Sequence, residues 1–237
     1  MQTPRKAVHI KAAAREHLLG NYGRIIPIQV FFFLMCSLLT SFSQEINGTD
    51  TLSLVVAQLL FFISNCLAES LNFGLSKTYL KLCCGEGCSF ADLFSLTRDN
   101  RAVLLSVFMG FLRSVAGIPL LIGAASYIKE PDRETAAAAL LAYLVFSLIV
   151  FLIKLPFMMS YYLPADMKDM TAGEILKMSA WLMKGNKIKM TAMLLSFIPM
   201  IFLSIFSLGL ARLWIDPYIK ASLACFYLDT AASKSAV

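Results

Sequence analysis

Four ionisable side chains, Glu69, Arg113, Lys154 and Lys220, stand inside long apolar runs of the chain. Near the centre of a membrane helix such a group costs about 2.5–3.5 kcal/mol, so it faces protein or water. The residues around them are arranged for that. On one run Gln58, Asn65, Glu69 and Asn72 form one narrow helical stripe. On the next, Ser106, Gly110, Arg113 and Gly117 share a face, and small residues there let helices approach closely. A third run aligns Tyr143, Ser147, Lys154 and Tyr161. Rising about 1.5 Å per residue, Glu69 would lie roughly 9 Å from the cytoplasmic end of its helix, Lys154 roughly 13 Å and Arg113 roughly 17 Å. Glu69 paired with Lys154 or Arg113 leaves positive charge in excess. That suits an anionic or zwitterionic ligand in a polar cavity open to the cytoplasm. The same residues also suit a structural ion pair with lysines that snorkel to the interface, Lys220 above all because its run is short.

Other chemistry is sparse. The two histidines are His9 and His17, and no His-Glu-x-x-His, Gly-x-Ser-x-Gly, P-loop or Gly-x-Gly-x-x-Gly pattern occurs. The stretch "CCGEGC" offers Cys83, Cys84 and Cys88, whereas structural zinc usually takes four ligands. An N-terminal histidine would have to complete such a site, and a turn on Gly85 and Gly87 is the ordinary reading. Cys36, Cys66 and Cys225 lie in apolar runs as small hydrophobes. The expectation is a non-enzymatic protein with no cofactor and no bound metal.

The elements that must hold the ionisable groups follow from composition. Of 237 residues 58% are hydrophobic and only 15% charged, against about 25% charged in a soluble domain. Apolar runs long enough to cross a bilayer recur. They predict an all-α polytopic bundle forming a single membrane domain over 1–237, with spans near 25–42, 52–75, 102–128, 136–163, 190–210 and 213–230. Ser41-Phe42-Ser43 resembles a signal cleavage site, but the basic lead and the apolar run are both too long, so the first span is read as uncleaved. Fifteen lysines and arginines fall in the segments on one side of these spans and three on the other. The positive-inside bias puts both termini in the cytoplasm, at a bacterial plasma membrane. That placement also explains the net charge of +6 without nucleic acid. Asn47-Gly48-Thr49 is a formal sequon without weight.

Each cytoplasmic segment reads as a short amphipathic helix lying in the interface ahead of a two-span hairpin, near 4–19, 90–98 and 172–184. Thr171 with Glu174, and Ser89 with Asp92, form capping-box patterns. Thr3 and Pro4 open the first helix. Gly20 and Gly185 can take the left-handed conformation that ends a helix. Asn21, Asn186 and Asn100 can then accept hydrogen bonds from the amides that begin the next one. Arg24, Arg101, Lys177, Trp181, Lys184 and Lys187 are positioned to anchor the protein to lipid headgroups. An internal triplication is suggested by "NFGLS" (72–76), "PFMMS" (156–160) and "PYIKA" (217–221). The alternative is that all three hairpins obey the same membrane rules. Pro119, Pro156, Pro199 and Pro217 are expected to bend or interrupt spans.

The stretches "ILKMSAWLMKGNKIKM", "LGLARLWIDPYIKASLACFYLD", "LKLCCGEGCSFADLF" and "AREHLLGNYGR" together resemble a family of uncharacterised bacterial multi-pass membrane proteins, mostly Gram-positive, the domain of unknown function nine-seven-five. The resemblance covers nearly the whole chain, most firmly at 183–186, Trp214, Pro217 and Tyr218. The thiols of "CCGEGC" depart from the family's usual loop. It implies a plasma-membrane helical bundle and carries no substrate or catalytic residue. The function expected is binding of anionic lipid, a protein partner or a second copy through the interfacial helices. The alternative is a small-molecule or ion transporter using Glu69, Arg113 and Lys154.

Overall fold

Apolar periodicity and three capped short segments resolve, in the computed structural model, into eleven α-helices among the described residues, 7–44, 51–129, 133–207 and 209–235. Thr3, Pro4 and the sequon at 47–49 lie outside them. In chain order the helices are α1 (Ala7–Leu18), α2 (Tyr22–Gln44), α3 (Thr51–Cys83), α4 (Phe90–Ser95), α5 (Asn100–Lys129) and α6 (Arg133–Lys154). A 3-10 turn (Leu155–Tyr161) leads to α7 (Leu163–Asp166), α8 (Ala172–Met183), α9 (Lys187–Leu195), α10 (Ile198–Phe206) and α11 (Arg212–Ser235). No strand occurs among the described residues. The all-α bundle is as the sequence predicts.

Five segments are long and apolar enough to cross a membrane: Tyr22–Ser41, Leu52–Cys83, Asn100–Gly123, Arg133–Asp166 and Lys187–Phe206. The sixth expected span, 213–230, falls within α11, which is helical but does not qualify. Its first turns carry Arg212, Asp216 and Lys220, and α11 packs on α1, α3 and α2. Of the three charged residues, Lys220 turns to Asn72 of α3 while the Arg212 side chain stays 55% exposed. Of the four prolines, Pro156 lies in the 3-10 turn and Pro199 at the start of α10, where helices are interrupted. Pro119 and Pro217 lie within continuous helices.

The three short helices do not keep their apolar faces for lipid. Ile10, Ala14 and Leu18 recur every fourth residue on α1 and are buried where it packs on α11. Leu93 of α4 is buried against α3, where Gly74 makes the contact possible: a Cβ there would stand 1.8 Å from the Leu93 carbonyl oxygen. Ile175, Ser179 and Leu182 of α8 are buried, and α8 packs on the 3-10 turn, with Ser179 donating to the Pro156 carbonyl at 2.9 Å. Each short helix therefore docks on the second leg of the preceding hairpin, and α1 closes the ring on the last. Where the three second legs meet, Phe73 and Tyr161 lie 4.7 Å apart between ring centroids, and Tyr162 stacks on Tyr227 at 5.4 Å. Cys83 and Cys225 touch there, with sulfurs 3.3 Å apart. The "NFGLS", "PFMMS" and "PYIKA" segments fall on these three legs.

The outer faces are apolar. Leu141, Leu144 and Leu148 of α6 and Phe202, Leu203 and Phe206 of α10 are exposed, as lipid-facing residues are.

Candidate functional site

Glu69 is the centre of the polar constellation. Its carboxylate is 3% exposed and lies 3.1 Å from Lys154 Nζ, and Tyr161 donates its hydroxyl to it at 2.7 Å. Asn72, one turn along α3, donates at 3.2 Å, and Arg113 of α5 approaches to 3.9 Å. Lys220 of α11 donates to Asn72 Oδ1 at 2.5 Å. The structure thus joins Glu69, Arg113 and Lys154, as the stripes predict, and adds Lys220. Lys220 turns inward to Asn72 instead of snorkelling.

This cluster floors a cleft of about 470 Å³. One wall is α2, through Gln29, Phe32, Phe33, Ser37 and Thr40. The other is α11, through Arg212, Asp216 and Lys220, while Arg113 enters from α5. At one end Gln29 is buried and accepts a hydrogen bond from Tyr79 at 2.9 Å. At the other, Ser37 is exposed and the Arg212 side chain is 55% exposed. Because α2 runs away from α1, the open end lies opposite the short helices. The sequence reading placed the opening on the side of the short helices, whereas exposed Ser37 and Arg212 lie towards the far end of α2 and at the start of α11. Arg212 lies 3.7 Å from Asp216. With Lys154, the site sets four cations against the two acids Glu69 and Asp216.

Gln58 and Asn65 have a different job from the rest of their stripe. Gln58 donates to the Ser114 carbonyl at 3.3 Å and Asn65 to its hydroxyl at 3.4 Å, tying α3 to α5. Gly110 lets those helices approach until its Cβ position stands 2.9 Å from the Cys66 backbone nitrogen. Gln58 Oε1 is buried with no hydrogen-bond partner among the described residues.

The elbows are structural. Gly20 and Gly185 take φ of +82° and +85°. The backbone carbonyls of Asn21 and Asn186 accept from the following amides, Ile25 at 3.1 Å and Met190 at 3.0 Å, but their side chains do not. They donate to the His17 and Leu182 carbonyls at 3.0 and 3.2 Å, because the last turn of the preceding helix leaves those acceptors open. The middle junction differs again, since Asp99, not Asn100, accepts from the Arg101 amide at 3.0 Å. Hydrogen bonds from Arg101 hold the Asp99 carboxyl below its usual range. Arg101 is a clamp and not a headgroup anchor: it also donates to the Met167, Lys168 and Met170 carbonyls at 2.9, 2.6 and 3.2 Å. Arg24, Lys177, Lys184 and Lys187 are exposed, as anchors must be. Trp181 is half exposed, with the Lys234 ammonium 4.5 Å above its ring and bonded to its carbonyl.

Both capping boxes form. Thr171 donates from its backbone amide to Glu174 at 2.8 Å, and Ser89 to Asp92 at 3.0 Å. Burial works to raise the Asp92 carboxyl, but hydrogen bonds from Lys81, at 2.6 Å, and from Ser89 hold it below the usual range. Among the described residues no three His, Cys, Asp or Glu side chains are grouped as a metal would need. Cys83 turns inward to Cys225, away from exposed Cys84.

Sequence reasoning did not assign Gln29, Arg212 or Asp216 to the site. The signal was present, since Arg212, Asp216 and Lys220 fall four apart on one helical face.

The fold and its apolar girdle define a polytopic helical membrane protein, with a charged cleft held among its helices. The chain belongs to the family described as protein of unknown function (DUF975), whose profile matches residues 1–234. No curated protein and no solved structure matches it.

Proposed function

We propose that the chain is a non-enzymatic protein of the bacterial plasma membrane, with both termini cytoplasmic, that binds an anionic amphiphile in the cleft between α2 and α11. The observation that carries this reading is the excess of cations there. Four positive groups line or adjoin the cleft against two carboxylates, and an excess of cations beside membrane-spanning helices calls for a counter-ion. Docking of α1, α4 and α8 on the bundle argues against the short helices as the main lipid-binding surface. Arg24, Lys177, Lys184 and Lys187 remain peripheral headgroup contacts.

The test is to purify the protein in mild detergent and identify the amphiphiles that remain bound. An anionic species is expected, and its retention should fall by about tenfold when Arg113 and Lys220 are both replaced by glutamine. Equal retention would remove the basis of the reading. A second reading, transport of a small molecule or ion, draws on Glu69, a buried carboxylate in a membrane span. There, Glu69→Gln should abolish flux in proteoliposomes while insertion is unaffected; unchanged flux sinks it.

A further inference from the structure

The pairing inside the cleft narrows the class of ligand, given the anion-binding reading above. Lys154 has Glu69 at 3.1 Å, and Arg212 has Asp216 at 3.7 Å. Two cations are left over. Arg113 reaches no acid among the described residues nearer than Glu69 at 3.9 Å, and its side chain is 57% exposed. Lys220 is bonded to the neutral amide of Asn72. Both address the same turn of α3, because Asn72 donates to Glu69 at 3.2 Å. They therefore bracket one place with two positive charges that the protein leaves unbalanced. Glu69 cannot balance both, since its single charge is already shared with Lys154 at 3.1 Å.

Two unbalanced cations match a doubly charged anion better than a singly charged one. A phosphomonoester carries about −1.5 to −2 at pH 7, whereas a phosphodiester headgroup carries one charge. An arginine fork and a lysine point charge are both suited to phosphate oxygens. Access is also specified. The cleft wall on α2 holds Phe32 and Phe33 beside Ser37 and Thr40, and Phe33 is exposed on the outer side of the helix next to exposed Leu34 and Leu38. A headgroup in the cleft can thus keep its chain against an apolar, lipid-facing wall.

We propose that the cleft is a site for a phosphomonoester amphiphile, its phosphate held between Arg113 and Lys220 and its apolar chain leaving past Phe33 into the bilayer.

The experiment is native mass spectrometry of the full chain in detergent, titrated with phosphatidic acid, phosphatidylglycerol and phosphatidylcholine, and with inorganic phosphate as competitor. Phosphatidic acid is expected to bind at least about tenfold more tightly than phosphatidylglycerol at pH 7.5. That preference should disappear near pH 5, below the second phosphate ionisation at about 6. Arg113→Gln and Lys220→Gln should each reduce phosphatidic acid binding to the phosphatidylglycerol level. Arg113→Lys should keep most of it, and thermal unfolding of each variant separates lost binding from lost fold. Equal binding of the two anionic lipids, lowered together by the variants, would overturn the phosphomonoester assignment and leave the anion-binding reading intact. Binding indifferent to Arg113 and Lys220 would overturn both. Displacement of phosphatidic acid by inorganic phosphate at equal concentration would overturn the amphiphile and leave free phosphate as the ligand.

Discussion

The two ends of the bundle treat polarity in opposite ways. At the end that carries α1, α4 and α8, polar groups are spent on protein: Arg101 on three carbonyls, Asp92 on Lys81 and Ser89, Tyr227 on Asp166 at 2.6 Å. In the cleft at the other end Arg113 and Arg212 stay more than half exposed beside buried Glu69. Satisfied polar groups specify a fold, whereas an excess of one sign in an open cleft specifies a ligand. The contrast separates the part of the molecule that is architecture from the part that is site.

Substitutions can break that contrast. Glu69 belongs to both halves, so Glu69→Ala should have the largest effect: removing one partner of a buried ion pair costs about 3–5 kcal/mol. Thermal unfolding in detergent should show it, and Lys154→Met in the same chain should recover part of the loss. Gly74→Leu comes next, since the new side chain meets the Leu93 carbonyl. Overpacking of about 1–3 kcal/mol is expected, read as loss of amide-exchange protection in α4. Gly185→Ala should cost about 1–2 kcal/mol because its φ is positive. Gly23→Ala, in an open helical position, should be nearly neutral; equal effects would refute the elbow.

The docking of α4 should also depend on pH. The Asp92 carboxyl is held low in the folded chain, so its stabilisation is complete above the free aspartate value of about 4 and disappears as pH falls through the folded value. Hydrogen exchange of α4 should accelerate there. The smallest effect belongs to the cleft rim: Arg212→Ala should move stability by no more than about 0.5 kcal/mol. A larger loss would mean that the cleft is architecture after all.

Local physics was the legible part of the sequence. Capping boxes, positive-φ glycines and the Glu69 stripe each depend on residues within a few turns, and each is found in the structure. Long-range choices were not legible. The face of Ile10, Ala14 and Leu18 is compatible with lipid or with a helix, and only the position of α11 decides. Arg101 followed by an apolar run reads as a lipid anchor until the 167–170 carbonyls are brought beside it. Hydropathy along α11 does not record that Lys220 turns inward to Asn72 while Arg212 stays exposed. Asn21 and Asn186 sat at the right joints, but the direction of their hydrogen bonds depends on which helix end lacks partners.

The ring in which α1 docks on α11 has a consequence for biogenesis. Synthesis runs from the N-terminus, so α1 is made well before α11, the helix it docks on. Every other short helix finds the leg it docks on already made. Until α11 is made, the Ile10, Ala14 and Leu18 face therefore lacks the helix that buries most of it. Lys11 reaching Ser196 at 2.7 Å and Arg15 reaching Tyr218 at 3.4 Å then close the joint between the two ends of the fold.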